Sequence, residues 1–301
     1  SRQPGHPIFV SGGCGTGDDN GIYAYMISED GALLNSLVRL YPGSTRSTAE
    51  AALATADGGL LLGGTLSIGS TTMNRIALLK VAPNGTLDQE VMHGQDQGSK
   101  ICQQVVEWNG VPWITVNGRL PLSDEVSSSC AFRLNEELGI DGWFQYARLD
   151  IDPEPPIDSI PEGVMDLVPI SPTRYVGSGN IADYTFPLVV VSDSTRELYH
   201  HFIPVSDLPM HFLPWQQSLS ATPDGNLMYA VHENYLVGWY PPWTPIQPSR
   251  IQVYKLDTSL NVLCEHILDG FADNAYYYLN RIKSTDDGGF ILLGGRHDFN
   301  D

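Results

Sequence analysis

The chain has 301 residues, 42% of them hydrophobic, so it can bury the core of one large all-β domain or two ordinary ones, and disorder is not its default state. Sixteen basic against thirty-five acidic residues leave a formal charge of -19, which repels nucleic acid and anionic membranes and favours cations, basic partners or plain solubility. No apolar run approaches the roughly 20 residues of a membrane span, the opening SRQPGH is no signal peptide, and four cysteines without metal spacing leave the compartment open.

A unit of short strands recurs every 50 to 65 residues or so, about the period of propellers and solenoids. The first unit reads PIFVSGG (7–13), GIYAYMIS (21–28) and a mixed strand at 34–41. The second adds a leading strand at 50–55, then GLLLGG (59–64), RIALLKV (75–81) and LDQEVM (87–92). The third runs 101–107, VPWITVNG (111–118), CAFRL (130–134) and 143–149; the fourth runs 164–168, RYVGSG (174–179), FPLVVV (186–191) and 197–203. The fifth runs 213–220, NLMYAV (226–231), RIQVYKL (250–256) and VLCEHIL (262–268), and the sixth shows 277–283 and GFILLGG (289–295). Asp-Gly or Asn-Gly at 30–31, 57–58, 84–85, 109–110, 224–225 and 287–288 supplies the positive φ that two-residue hairpins need. Helical periodicity is absent.

Four strands, A to D outward from an axis, make one blade. The expected fold class is all-β, a β-propeller of four-stranded antiparallel blades, six in number, with incomplete closure. The repeats span 7–41, 48–93, 100–149, 162–203, 212–268 and a truncated 276–301, within one propeller domain over 1–301. The sequence starts and stops at a B strand; restoring the absent A, C and D strands would add about 30 residues. A longer parent chain carrying further domains is therefore expected, with an unusual ring closure as the alternative.

The glycine pairs are not a phosphate loop, because no Lys follows them and the next element is a strand rather than a helix. DGGLLLGGT (57–65) followed by NRIALLKVAPNGTLD (74–88), with SGG (11–13), GDDNGIY (17–23) and STDDGGFILLGG (284–295), resembles the propeller repeats of large secreted and cell-surface proteins of Bacteroidetes. Those repeats are similar to the "delta-sixty" repeats of other secreted bacterial proteins. The resemblance is good in blades one, two, five and six and weak in blades three and four, where Pro112, Pro172 and Pro187 interrupt it. It implies a propeller, an extracellular or cell-surface location of the type IX secretion kind, and no catalytic motif. DSI (158–160) and DST (193–195) resemble the sites at which Bacteroidetes attach O-linked glycans.

Unequal loops place the candidate site. The A-to-B and C-to-D hairpins are tight, whereas the B-to-C loops and D-to-A crossovers include 120–129, 150–163, 204–211 and 232–249; loops on a rigid scaffold are where binding usually resides. The insertion YLVGWYPPWTPIQP (235–248) carries Trp239, Tyr240 and Trp243 among four prolines, a stiff aromatic surface for stacking on a sugar or anchoring a protein. The opposing reading is that these rings fold back over the blade. His232, Glu233, Asp150 and Asp152 complete the candidate binding set. His211 and His297, with Arg296 and Asp298, fall near the same face, without hydrolase or metalloprotease spacing. Asp18 and Asp19 are hard oxygen donors able to hold calcium, but they lack the full loop spacing, and solvated loop charge is the preferred reading. No other cofactor is implied. Cys102 and Cys130 sit on A and C strands of one blade, about 10 Å apart and beyond disulfide reach; Cys14 and Cys264 are expected to be unpaired.

The function expected from these features is an extracellular, non-enzymatic propeller for display, adhesion or assembly, binding a protein partner or surface glycan. The alternative is a polysaccharide-binding or polysaccharide-degrading propeller with Trp239 and Trp243 as sugar platforms and Asp150 and Asp152 as acid and base.

Overall fold

The computed structural model describes residues 7–16, 19–68, 74–94, 100–118, 128–145, 164–181, 186–193, 198–201, 212–213, 218–233, 236–237, 244–245 and 247–299. The chain divides into two compact units, Ser1–Tyr146 and Ala147–Asp301. In the first, β1 (Ile8–Thr16), β2 (Asp19–Ile27) and β3 (Leu33–Pro42) form one antiparallel sheet. Two four-stranded sheets follow in sequential order: β4 (Ser44–Ala54), β5 (Leu60–Ile68), β6 (Asn74–Val81), β7 (Leu87–His93), then β8 (Lys100–Trp108), β9 (Val111–Gly118), β10 (Ser128–Leu134), β11 (Ile140–Gln145).

The second unit repeats the plan with β12 (Val164–Pro169), β13 (Arg174–Ile181), β14 (Phe186–Asp193) and β15 (Leu198–His201). In the next sheet β16 (Phe212–Leu213) and β17 (Leu219–Ala221) both pair with β18 (Leu227–Glu233), and a small hairpin, β19 (Leu236–Val237) with β20 (Thr244–Pro245), precedes β21 (Arg250–Leu256) and β22 (Val262–Asp269). A single helical turn, α1 (Gly270–Asp273), leads to the hairpin β23 (Ala275–Ser284) and β24 (Phe290–Asp298). Sequential A-B-C-D antiparallel sheets are blades, and the protein is an all-β fold of the β-propeller class. Several bounds differ from expectation, among them β4, which begins at Ser44 rather than 50. The fifth A strand is split into β16 and β17, and β11 begins at Ile140 rather than 143 because its turn closes at Gly139, whose carbonyl accepts the Asn135 N–H at 2.9 Å.

The turns follow a different rule from the simple two-residue hairpin. Only Asn109-Gly110 has two positive φ values, 56° and 74°. Elsewhere a single glycine is left-handed, as at Gly58 (φ 88°), whose N–H donates to the Thr55 carbonyl at 2.9 Å while Asp57 Oδ1 accepts the Gly59 N–H at 3.1 Å. The C-to-D ladders shift register beside the turn, at Met26/Ile27, Lys80/Val81, Arg133/Leu134 and Lys255/Leu256, which marks a bulge next to a type I turn. In two of these turns a leucine occupies the left-handed position, Leu138 (φ 59°) and Leu260 (φ 65°), and both side chains are buried in a core. That conformation costs an L-residue about 1–2 kcal/mol, and burial of the isobutyl group returns about 1.5–3 kcal/mol. Leu260→Gly is therefore expected to destabilise less than Leu260→Ala, by up to about 1 kcal/mol, because glycine recovers the backbone strain that alanine keeps. Urea unfolding of the two variants checks the order.

Blades stack through apolar faces. Leu60, Leu62, Ala77 and Leu79 pack toward Ile22 and Ala24 of the first blade, while Leu61, Ile76 and Leu78 pack toward Cys102, Val105 and Ile114 of the third. The glycine pair lies between them: a Cβ on Gly63 would come 2.5 Å from Cys102 Sγ, and one on Gly64 would come 2.4 Å from Ile22 Cδ1 and 2.6 Å from the Thr48 carbonyl. The glycines thus permit close approach of neighbouring blades. Polar contacts pin the same seams, since Thr65 Oγ1 accepts the Cys102 N–H at 3.0 Å and Ser220 Oγ accepts the Ser284 N–H at 3.0 Å. Val116 faces both Cys102 and Cys130 across the ladder, so a whole strand separates the two cysteines. Cys14 and Cys264 are free thiols.

Candidate functional site

The fifth blade opens its long B-to-C loop where β18 ends. Every residue of β18 is buried, including the terminal His232 and Glu233. His232 lies opposite Leu213 on one side and Ile251 on the other. Burial alone drives its imidazole down from 6.5 to about 3, so it stays neutral. Because the unfolded imidazole binds a proton below 6.5 and the folded one does not until about pH 3, stability is full above 6.5 and falls as acid is added. Going from pH 7 to pH 5 is expected to remove about 2 kcal/mol through this group. Chemical denaturation at both pH values, with His232→Gln as the variant lacking that slope, tests the expectation.

Glu233 is held at the mouth of the loop by the residue that closes it. Its Oε2 accepts the Arg250 N–H at 2.8 Å and its Oε1 lies 3.5 Å from Arg250 Nη1. Burial pushes the Glu233 carboxyl up, and the Arg250 N–H and guanidinium charge pull it back. Arg250 Nε also meets Asp269 Oδ1 at 3.3 Å, and its guanidinium lies 4.8 Å from the centre of the Phe271 ring. Asp269 in turn caps α1 by accepting the Phe271 N–H at 3.1 Å. A Cβ on Gly270 would meet the Ala275 and Ser249 carbonyls at 2.2 Å, so the crossover passes this point only as glycine. Ser249 locks the next strand by donating to the Tyr277 carbonyl at 2.7 Å and accepting the Tyr277 N–H at 2.8 Å.

The result is a clasp, Glu233–Arg250–Asp269–Phe271, that ties the two ends of loop 234–249 to the crossover into the sixth blade. The loop carries the hairpin β19–β20, in which Leu236 pairs with Pro245 and Val237 with Thr244. Trp239, Tyr240 and Trp243 fall in sequence between those strands and lie outside the described residues, as do Asp150, Asp152, Asp18 and His211. Asp19 starts β2 opposite Thr16, and His297 sits on β24 with its ring 5.1 Å from that of Phe299, edge to face. Arg296 is engaged by Asp298 at 2.6 Å. Among the described residues no group of three or more His, Cys, Asp or Glu side chains is arranged to hold a metal ion.

Sequence reasoning missed Arg250 and Asp269, each of which reads only as a strand end. It also missed Asp166, a buried carboxylate at the seam between the fourth and fifth blades, whose Oδ2 accepts the hydroxyls of Ser178 and Ser218 at 3.0 Å each and the Leu219 N–H at 3.1 Å. The available signal was a lone Asp within an apolar strand, VMDLVP.

Sequential antiparallel sheets, most of them with four or more strands, define the class, a β-propeller. No family model and no curated protein matches the chain. Among solved structures it is similar to a Hadza microbial sialidase, with a TM-score of 0.56 and 10% identity over 93% of this chain and 60% of that one. A Bacteroides caccae protein of unknown function gives a TM-score of 0.44 and 11% identity, covering 83% of this chain and 78% of that one. The Penicillium chrysogenum α-L-arabinanase gives 0.47 and 11%, covering 83% and 85%. At these identities the likeness concerns the fold.

Proposed function

We propose that the protein is a carbohydrate-recognising propeller module used in adhesion or assembly outside the cell or at its surface, with the glycan engaged by the aromatic loop of the fifth blade. The observation that carries this reading is the clasp. A buried carboxylate, a guanidinium and a capped helical turn are spent on fixing the ends of one loop, and that loop brings two tryptophans and a tyrosine stiffened by prolines. A rigid aromatic platform loses little entropy when a sugar ring stacks on it. A sialidase built on the same scaffold supports the choice of glycan over other ligands. Glu233 and Asp269 are both committed to Arg250 and so support the loop rather than act on a substrate. Asp150 and Asp152, the acid and base of the hydrolytic alternative, lie outside the described residues, and product release from a bound glycan separates the two readings. The Bacteroidetes-type repeat supports the exported setting.

Immobilised polysaccharides and an oligosaccharide panel provide the test. Trp239→Ala and Trp243→Ala are each expected to weaken glycan binding about tenfold or more. Unchanged binding in both variants, or release of reducing ends from a bound glycan, would overturn the reading, the second outcome in favour of the hydrolase.

A further inference from the structure

Four asparagines of the chain are followed by glycine, at 20–21, 84–85, 109–110 and 117–118. An asparagine side chain can be attacked by the main-chain nitrogen of the next residue where that nitrogen is reachable and unengaged, and glycine, with no Cβ, hinders the attack least. The fold sorts the four pairs. Asn117-Gly118 ends β9, where Gly118 pairs with Lys100 on one side and Ser128 on the other. Asn20-Gly21 lies in β2: Asn20 Nδ2 donates to the Ser44 carbonyl at 2.6 Å, and Gly21 is buried, a Cβ there coming 2.4 Å from the Arg39 carbonyl. Asn84-Gly85 is a turn, but a filled one. Gly85 is buried and its N–H donates to the Ala82 carbonyl at 2.8 Å, while Asn84 Oδ1 accepts the Thr86 N–H at 3.0 Å and the Thr86 hydroxyl at 2.7 Å.

Asn109-Gly110 differs at each point. It is the two-residue turn between β8 and β9, closed by Trp108 opposite Val111, and both of its residues are exposed, at φ 56° and 74°. No heavy atom lies within 4 Å of where a Gly110 Cβ would stand, and among the described residues the Gly110 N–H has no acceptor. We propose that Asn109 is a site of spontaneous deamidation, selected from four equal dipeptides by the turn it occupies. Hydroxide removes the Gly110 amide proton, the nitrogen bonds to Asn109 Cγ, and the Cγ–Nδ2 bond breaks, its nitrogen leaving as ammonia with a proton taken from water. The five-membered imide then adds one water. Opening at Cγ gives aspartate; opening at the main-chain carbonyl gives isoaspartate, with the chain routed through Cγ. Nothing is oxidised or reduced, since water enters and ammonia departs. Either product places a new carboxylate two residues from Glu107, and isoaspartate lengthens a turn built on two positive φ values, so the A-to-B hairpin of the third blade is loosened. No residue of the aromatic loop takes part, and glycan binding is tested separately.

The intact 301-residue protein is kept folded in neutral buffer beside a parallel sample unfolded in urea. Peptide mapping follows the amide-to-acid mass change at each pair, and labelling by an isoaspartyl methyltransferase measures isoaspartate. In the folded protein Asn109 is expected to convert about tenfold or more faster than Asn20, Asn84 or Asn117, and in urea the four rates are expected to converge, because the dipeptide alone then sets them. Asn109→Gly keeps the left-handed turn without the side-chain amide and is expected to remove most of the isoaspartate formed in the folded state. The inference is overturned if another of the four pairs converts as fast as Asn109 in the folded protein. It is equally overturned if folded Asn109 stays intact while the unfolded chain converts it, or if folded Asn109→Gly gains as much isoaspartate as the parent.

Discussion

Replacing Asp166 with alanine is expected to destabilise the second unit by about 2–4 kcal/mol. The carboxylate is fully buried, and one of its oxygens receives two hydroxyls and a main-chain N–H from two blades. Alanine would leave those donors in an apolar seam beside Val176, Leu219 and Tyr229, each carrying its own desolvation cost. The Ser178 and Ser218 hydroxyls, 2.8 Å apart, can satisfy one another, which limits the loss and puts most of it on the Leu219 N–H. Asp166→Asn keeps an acceptor oxygen in place and is expected to lose less, about 1–2 kcal/mol. Hydrogen exchange across β13, β17 and β18 reads the effect where it should be concentrated, at the seam between the fourth and fifth blades. Equal losses for the two variants would show that the negative charge, which both remove, carries the effect rather than the acceptor oxygen that asparagine keeps.

Much of the fold was legible because strand period and turn chemistry repeat. DGGLLLGG and DDGGFILLGG fix the A-to-B hairpins, and alternating strands such as RIALLKV and RIQVYKL identify the C position by pattern alone. The exact turn type was less legible. Asp-Gly suits both a two-residue turn and a type I turn with a bulge, and the ladder geometry, not the dipeptide, decides between them. Leu138 and Leu260 were invisible as turn residues, since a leucine at positive φ is tolerated only when a core repays it, and cores are tertiary. The sequence singles out the candidate loop, whose aromatic residues lie outside the described ones, and does not show the support that holds its ends. His232 and Glu233 stand out as polar letters at a strand end, but whether they face solvent or interior depends on β16 and β21, brought alongside from distant segments. Arg250 is separated from Glu233 by the whole insertion, so no local spacing could pair them.

Arg250→Ala is expected to cost about 2–4 kcal/mol at neutral pH, since it leaves the Glu233 carboxylate buried without its cation and strips Asp269 and Phe271 of their shared contact. The pH dependence separates this cause from simple loss of packing. Burial raises the folded Glu233 carboxyl above 4.5, so the folded state holds a proton that the unfolded state has released; stability from this source is present at low pH and lost as pH rises through the folded value. Without Arg250 the carboxyl rises further, and the penalty of the variant should be small near pH 4 and grow toward pH 7. A packing defect would be nearly the same at both. Glu233→Gln in the Arg250→Ala background removes the stranded charge and is expected to recover roughly half of the neutral-pH loss. Because the arginine holds the ends of the aromatic loop, the same variant should lose glycan affinity at a pH where it is still folded, whereas Arg250→Lys, with a point charge in place of the fork that spans Glu233 and Asp269, should lie between the two. Full glycan affinity in folded Arg250→Ala would mean that the clasp does not shape the recognition surface, and the Trp239→Ala and Trp243→Ala variants would then decide whether the loop carries it.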